Sequence, residues 1–367
     1  MNKKILFGIP KRTHVILALD EVEGFKNLGY ECTTIVYNRN NPNLNILLKL
    51  YGVVVTAFKI IKLLYKHKFS TLYLNSRFGP AGCVRDFLTV LILNIFYFTP
   101  LKIVIKTHGS DLTFVKRKSF FYDKLIFPYL GKNVDFWFFL SEEEKLIVQD
   151  FYPVIGVKSF VTQNIIDAKR SVRSVEFLEK HNLNDNRFKF FFAGRMIAEK
   201  GIFSIIRAIP DFKYKDDSIF IFAGDGEEYN EFKSEIKKLQ IEKYVHLTGF
   251  LSEEECDHFY ANTDTLVFPT YFDEGFPMAL FKSVASGLPI ITTQTRAASD
   301  HLKEPDNCLW VNGKDTETVL KAMTKLYEND SLREKMVLNN RYLGKNFTKK
   351  EVTEQMNLIF LQDSSKI

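Results

Sequence analysis

Short apolar runs alternate with stretches of helical periodicity from the start of the chain. Lys4–Ile9 reads as a first strand. Thr13–Leu28 follows with apolar residues at Val15, Ile16, Leu19 and Val22, the stripe of an amphipathic helix. Gly29 then stands where a helix C-cap glycine belongs. Cys32–Tyr37, Leu72–Leu74, Ile103–Lys106, Phe136–Leu140 and Ser159–Thr162 read as further strands, most of them separated by helical patterns. Ser141 with Glu144 is the signature of a capping box opening the next helix. Strand–helix alternation of this kind predicts a parallel sheet with helices on both faces.

Near Asp167 the pattern breaks. Residues 168–187 are rich in Lys, Arg, Asn, Asp and Glu, with one short apolar pair at Phe177–Leu178, and the domain junction is expected there. A second series of strands follows: Phe188–Ala193, Ile219–Ala223, Val245–Thr248, Leu266–Phe268, Pro289–Thr292 and Leu309–Val311. Ser252 with Glu255 and Thr348 with Glu351 are two more capping boxes, the last opening a final helix near Lys349–Leu361. A chain of 367 residues also exceeds what one core usually fills. The expectation is therefore α/β: two Rossmann-like domains, over 1–170 and 187–347, and a C-terminal helix over 348–367. Ligands of such sheets bind where loops leave the strand C-termini. If two such domains face each other, the cleft between them is the expected site.

Composition narrows the class. Apolar residues make up 46% and charged residues 26%, which excludes disorder for the body of the chain. Cys32, Cys83, Cys256 and Cys308 are scattered, which argues against a disulfide framework or zinc site and fits a reducing compartment. The apolar stretch at the N-terminus is too short for a signal-peptide core. The longest uncharged run, Phe87 to Leu101, has 15 residues and is too short to span a bilayer. A cytoplasmic protein is expected. Charge is uneven: residues 1–168 hold 22 Lys and Arg against 13 Asp and Glu, and the remainder 28 against 31. Lys59, Lys62 and Lys66 stand at helical spacing in and just beyond the apolar stretch Leu47–Leu64. That helix fits an anionic membrane surface at the inner face. It equally fits a packed helix with a solvated lysine edge, the commoner case.

Three segments carry candidate chemistry. Phe192-Ala193-Gly194-Arg195, followed by Glu199-Lys200-Gly201, places two cations beside a helix start after a strand, which suits a diphosphate. Two surface cations in an ordinary loop give the same pattern. Asp273-Glu274-Gly275-Phe276-Pro277-Met278-Ala279 follows another strand and leads into a helix ending near Gly287. Backbone N–H groups of Met278 and Ala279 can face an anion there. Glu274 can hold sugar hydroxyls or simply favour the helix dipole. Lys106-Thr107-His108-Gly109-Ser110-Asp111 lies at a strand end, where His108 can act as a hydrogen-bond donor or pack structurally.

Taken together, these segments resemble family 4 of the retaining glycosyltransferases, which have the GT-B fold. Further segments carry the resemblance: Phe222-Ala223-Gly224-Asp225-Gly226-Glu227, Leu247-Thr248-Gly249-Phe250, Ser286-Gly287-Leu288-Pro289-Ile290-Ile291 and Gln163-Asn164-Ile165-Ile166-Asp167. Each is weak alone, and the ordered set is strong. The resemblance implies that Arg195 and Lys200 hold a donor diphosphate and that Glu274 contacts the donor sugar. The backbone from Gly275 to Ala279 would line sugar and phosphate, with Gly194 at the strand exit. Gly249 and Phe250 would lie near the base, and His108 would face the transferring sugar. It also implies front-face displacement with retention and generally no metal. The final helix would cross back to the first domain. No cofactor is implied beyond a nucleotide-diphosphate sugar of UDP or GDP type as co-substrate.

Two departures from the family pattern stand out. Lys282 occupies the place of a second Glu that binds ribose hydroxyls, and a cation cannot accept those hydrogen bonds. Lys282 at that point either adds charge near the phosphates or leaves ribose binding to other groups. In place of a Gly-Gly turn after the first strand stands Gly8-Ile9-Pro10-Lys11-Arg12-Thr13, where Lys11 and Arg12 either bind a charged acceptor or are solvated. The expected function is transfer of a sugar to a glycan or lipid-linked acceptor in bacterial surface-polysaccharide assembly. The alternative is a catalytically degenerate partner subunit that binds a glycan. A nucleotide-sugar epimerase would need further acid–base carboxylates. A dehydrogenase is disfavoured because no Gly-x-Gly-x-x-Gly follows the first strand, and a nucleic-acid binder by the acidic second half.

Overall fold

Runs such as Leu72-Tyr73-Leu74 and Phe190-Phe191-Phe192 are buried on both faces, the pattern of strands inside a helix-covered parallel sheet. The computed structural model describes residues 3–11, 14–38, 45–166 and 174–361. They form two α/β units, Met1–Ile165 with Lys349–Ile367, and Ile166–Thr348.

The first unit holds β1 (Lys4–Pro10), β2 (Glu31–Asn38), β3 (Thr71–Phe78), β4 (Lys102–Ser110), β5 (Phe136–Phe139) and β6 (Ser159–Val161). They pair in parallel in the order β2-β1-β3-β4-β5-β6. Strand order reverses beside β1, so the crevice outside the C-termini of β1 and β3 is this sheet's switch point. β1 runs one residue further than its apolar pattern suggests. Its pairing with β2 shifts register between Ile9 and Pro10, at the residue that has no N–H to give the ladder. β4 also runs on, through His108 and Gly109 to Ser110, because its end pairs with Phe78 of β3. Neither extension is periodic in sequence; both come from hydrogen bonding to a neighbour.

The final helix, Lys349–Phe360, belongs to this first unit. Val352, Met356 and Phe360 share one core cluster with Ile5, Phe7, Phe25 and Phe138. The Phe360 ring stacks on Phe25 at 5.1 Å. Lys349 reaches Asp20 at 3.1 Å and Glu23 at 2.5 Å, and the Tyr30 hydroxyl donates to Asn357 at 2.6 Å. Gly24 makes the approach possible: a β-carbon there would stand 2.3 Å from Thr353 Cγ2.

The second unit holds β7 (Phe188–Ala193), β8 (Ser218–Ala223), β9 (Val245–Gly249), β10 (Thr265–Phe268), β11 (Ile290–Thr292) and β12 (Leu309–Trp310). Their parallel order, β12-β11-β10-β7-β8-β9, is the doubly wound one, with its switch point between β7 and β10. The Ser252–Glu255 capping box is complete. At Ser141 only half of the box forms: its hydroxyl accepts from Glu144 N–H, while the Glu144 carboxylate accepts from Leu140 N–H. Within the charged stretch 168–187 stands an additional short helix, Val175–Lys180, capped by Ser174 and packed through Phe177 on His258 and Phe259. Asp167, Arg12 and Thr13 lie outside the described residues.

Candidate active site

Two loops leave the switch point of the second unit, one after β7 and one after β10. Short range forces shape the first: the 3-10 turn Ala198–Lys200 ends at Gly201, whose φ is 76°. A β-carbon on Gly201 would stand 2.2 Å from the Pro269 carbonyl oxygen, so only glycine lets the two loops close up. The Glu199 carbonyl then accepts hydrogen bonds from Tyr271 N–H at 2.7 Å and Phe272 N–H at 2.9 Å. The Thr270 hydroxyl donates to the same oxygen at 3.2 Å. These bonds fix the two loops against each other before any ligand arrives.

The clamp brings predicted residues together. The Lys200 ammonium, nearly buried, lies against the Glu274 carboxylate. The Phe272 ring serves both cations: Lys200 Nζ stands 5.0 Å from its centroid and the Arg195 guanidinium carbon 4.9 Å. Burial, then the Arg195 charge, pushes the Lys200 pKa down from its ordinary value, and the adjoining carboxylate opposes that push. Arg195 itself is exposed. Two cations against one carboxylate leave a site that favours an anion. Asp273, next to Glu274, is held by the buried guanidinium of Arg296, a brace without a sequence signal because Arg296 lies on a later helix.

Around this cluster the strand ends are laced together. Gly194 N–H donates to Ala223 O at 3.0 Å, and Gly224 N–H donates to Gly249 O at 2.9 Å. Gly249 has a φ of 70°, and Phe250 beyond it is 82% exposed, an aromatic face presented at the end of β9. Gly275 precedes Phe276, whose side chain is core: its ring stacks on Phe281 at 3.8 Å. Phe276 can thus offer a ligand only its backbone. Met278 and Ala279 open the helix Met278–Ser286 after Pro277.

Lys282 is engaged elsewhere. Its Nζ lies 2.8 Å from Asp257 Oδ1 and 3.7 Å from Glu253 Oε2, joining the helix Glu253–Asn262 to the helix Met278–Ser286. A phosphate would have to compete with a buried carboxylate for it.

In the first unit, His108 is fixed by Asn75, a residue without a sequence signal. Asn75 Nδ2 donates to Gly8 O at 3.3 Å, which turns its Oδ1 toward His108 Nε2 at 2.5 Å. Nε2 must therefore carry the proton, and Nδ1, buried and without a partner, holds a lone pair. Burial, then Lys106 and His14, depresses the His108 pKa well below its ordinary value and keeps the ring neutral. Nε2–H thus donates to Asn75, and Nδ1 is left as the acceptor of the ring. The His14 ring stacks on it at 5.5 Å. Lys106 faces inward, onto buried Glu21 and the Gln163 carbonyl.

Residues 174–342, most of the second unit, match the family model described as Glycosyl transferases group 1. An uncharacterized glycosyltransferase of Methanocaldococcus jannaschii is 24% identical over 338 residues, covering 89% of this chain and 88% of that protein. The UDP-Gal:alpha-D-GlcNAc-diphosphoundecaprenol alpha-1,3-galactosyltransferase of Escherichia coli is 24% identical over 243 residues, 63% of this chain and 61% of its own. The crystal structure of Anabaena HepE in complex with UDP and glucose matches over 100% of both chains, with a TM-score of 0.74 and 14% identity, a likeness of fold.

Proposed function

We propose that this chain, whose residues 174–342 match the model of the glycosyl transferases group 1 family, moves a sugar with retention from a nucleoside-diphosphate donor to a lipid-linked or glycan acceptor in surface-polysaccharide assembly. The observation that carries the reading is the Arg195–Lys200–Glu274 cluster on the clamped loops of the second unit's switch point. Arg195 and Lys200 take the diphosphate, and Glu274 takes sugar hydroxyls. The backbone from Gly275 to Ala279 lines both, and Gly194 keeps the strand exit slim. Phe250 and Gly249 take the base. In the first unit, His108 offers a hydrogen-bond acceptor at Nδ1 to a sugar hydroxyl.

In the transfer the bond from the anomeric carbon to the diphosphate oxygen breaks. The acceptor oxygen bonds to the same face of that carbon, and its proton passes to the leaving phosphate. What this chain supplies is charge fixed where the leaving group becomes more negative. The similarity to an enzyme named for UDP-galactose and a diphosphoundecaprenol glycan supports a UDP-type donor and a lipid-linked acceptor.

Calorimetry with UDP and GDP on the full chain, without added metal, tests this. Binding of one nucleotide, lost in Arg195→Ala, is the expected outcome. A folded chain that binds neither would instead be a degenerate partner subunit.

A further inference from the structure

The helix Ile46–His67 has two apolar faces. One packs into the first unit through Thr56, Ala57, Ile60, Ile61 and Leu64. The other, Leu47, Tyr51, Phe58 and Tyr65, recurs at steps of four and seven along the outer side, and all four residues are exposed. The outer stripe continues onto the end of the helix Pro80–Phe96. Phe58 meets the Phe96 ring at 5.3 Å, and the Tyr65 hydroxyl donates to Phe96 O at 3.0 Å. Two residues on, Phe98 is 82% exposed.

Charge narrows what can cover this face. Lys59, Lys62 and Lys66 are exposed on the same helix. From Cys32 through Ser110 the only carboxylate in the sequence is Asp86, against ten lysines and arginines. Asp86 is buried, bonded to Tyr37, Ser76 and Arg85. A second copy of the face would set lysine against lysine. Hydrocarbon bordered by phosphate charge complements both of its features. Among the described residues no helix is long and apolar enough to cross a membrane, so association would be along the surface.

We propose that this face of the first unit docks on an anionic phospholipid surface, its outer aromatic residues in the headgroup layer and its lysines on lipid phosphates. The proposal does not depend on the donor site, and UDP binding by the same samples reports that site separately.

Co-sedimentation of the full chain with vesicles of phosphatidylcholine alone, or in equal parts with phosphatidylglycerol, tests it. The chain should pellet with the anionic vesicles at low salt, and added salt should release it. Each lysine near the surface contributes about fivefold to binding, so Lys59→Gln, Lys62→Gln and Lys66→Gln together should weaken it on the order of a hundredfold. Phe98→Ser, at a side chain already in solvent, should weaken it as well. No pelleting with anionic vesicles, or equal pelleting by the triple variant, overturns the proposal. So does a dimer in lipid-free ultracentrifugation that Phe98→Ser abolishes, since the face would then belong to a second copy.

Discussion

The Lys282 ammonium stands 2.8 Å from the Asp257 carboxylate, joining two helices that follow different strands of the second sheet. Asp257 is almost fully buried, and Lys282 is the cation set against its carboxylate. Removing either group alone strands the other. Lys282→Met and Asp257→Asn should each lower stability by about 3 kcal/mol. The double variant should lose less than the sum, with a coupling of roughly 1–3 kcal/mol in urea unfolding. Lys282→Glu should be the worst single change, because it adds a carboxylate beside Asp257 and Glu253. Additive single effects would show that the pair is not coupled.

Arg195 and Lys200 should separate in their side effects. If both stabilise a leaving diphosphate, each change to Ala should cut turnover by about 10²-fold. Arg195 is exposed, so Arg195→Ala should leave the unfolding midpoint where it was. Lys200→Ala should lower the midpoint too, since it leaves Glu274 without its cation. Steady-state rates paired with thermal melts distinguish the two, and near-normal rates in both would remove them from the site.

His301 sets an acid limit on stability. Its ring packs edge-on against Phe281 and Phe347, and burial pulls its pKa from 6.5 to about 4. Between those values the unfolded chain takes up a proton that the native ring refuses. The His301 contribution is therefore full above about pH 6.5 and is lost as pH falls toward 4, by up to about 1.4 kcal/mol per pH unit. His108 is depressed in the same direction. Urea titrations at several pH values should show the slope flattening in His301→Phe, which keeps the aromatic packing and removes the titration. An unchanged slope would assign the acid sensitivity to other groups.

Gly24→Ala should loosen the final helix. The added methyl collides with Thr353, at a cost of about 1–3 kcal/mol. Thr353→Ala in the same chain removes the colliding atoms and should restore most of the loss, read as the unfolding midpoint.

What was legible in the sequence followed its periodicity. The run Phe188–Ala193 is a strand at those bounds, and Ser252 with Glu255 closes a full box, because both signals are local. The glycines and cations of the second switch point were legible as well, since one short loop carries each set. Pairings across the fold were not. Asp257 precedes Lys282 by 25 positions, and nothing in either segment marks them as partners. Asn75 lies 33 residues before His108, yet it decides which ring nitrogen holds the proton. The helix Val175–Lys180 was not legible, because the charged residues around Phe177–Leu178 masked a helix whose apolar partners lie some 80 residues on.

The placement of Lys349–Phe360 in the first unit bears on how the chain is made. The second unit is one unbroken stretch, Ile166–Thr348, whereas the first is interrupted by it. On a ribosome, domains ordinarily fold in the order in which they emerge. Here the first unit starts earliest and finishes last, because its cluster around Phe7 and Phe25 lacks Val352, Met356 and Phe360 until the whole second unit has been synthesised. A nascent chain stopped near Thr348 would hold a complete second sheet and a first sheet with apolar surface still open, the species a chaperone would be expected to meet.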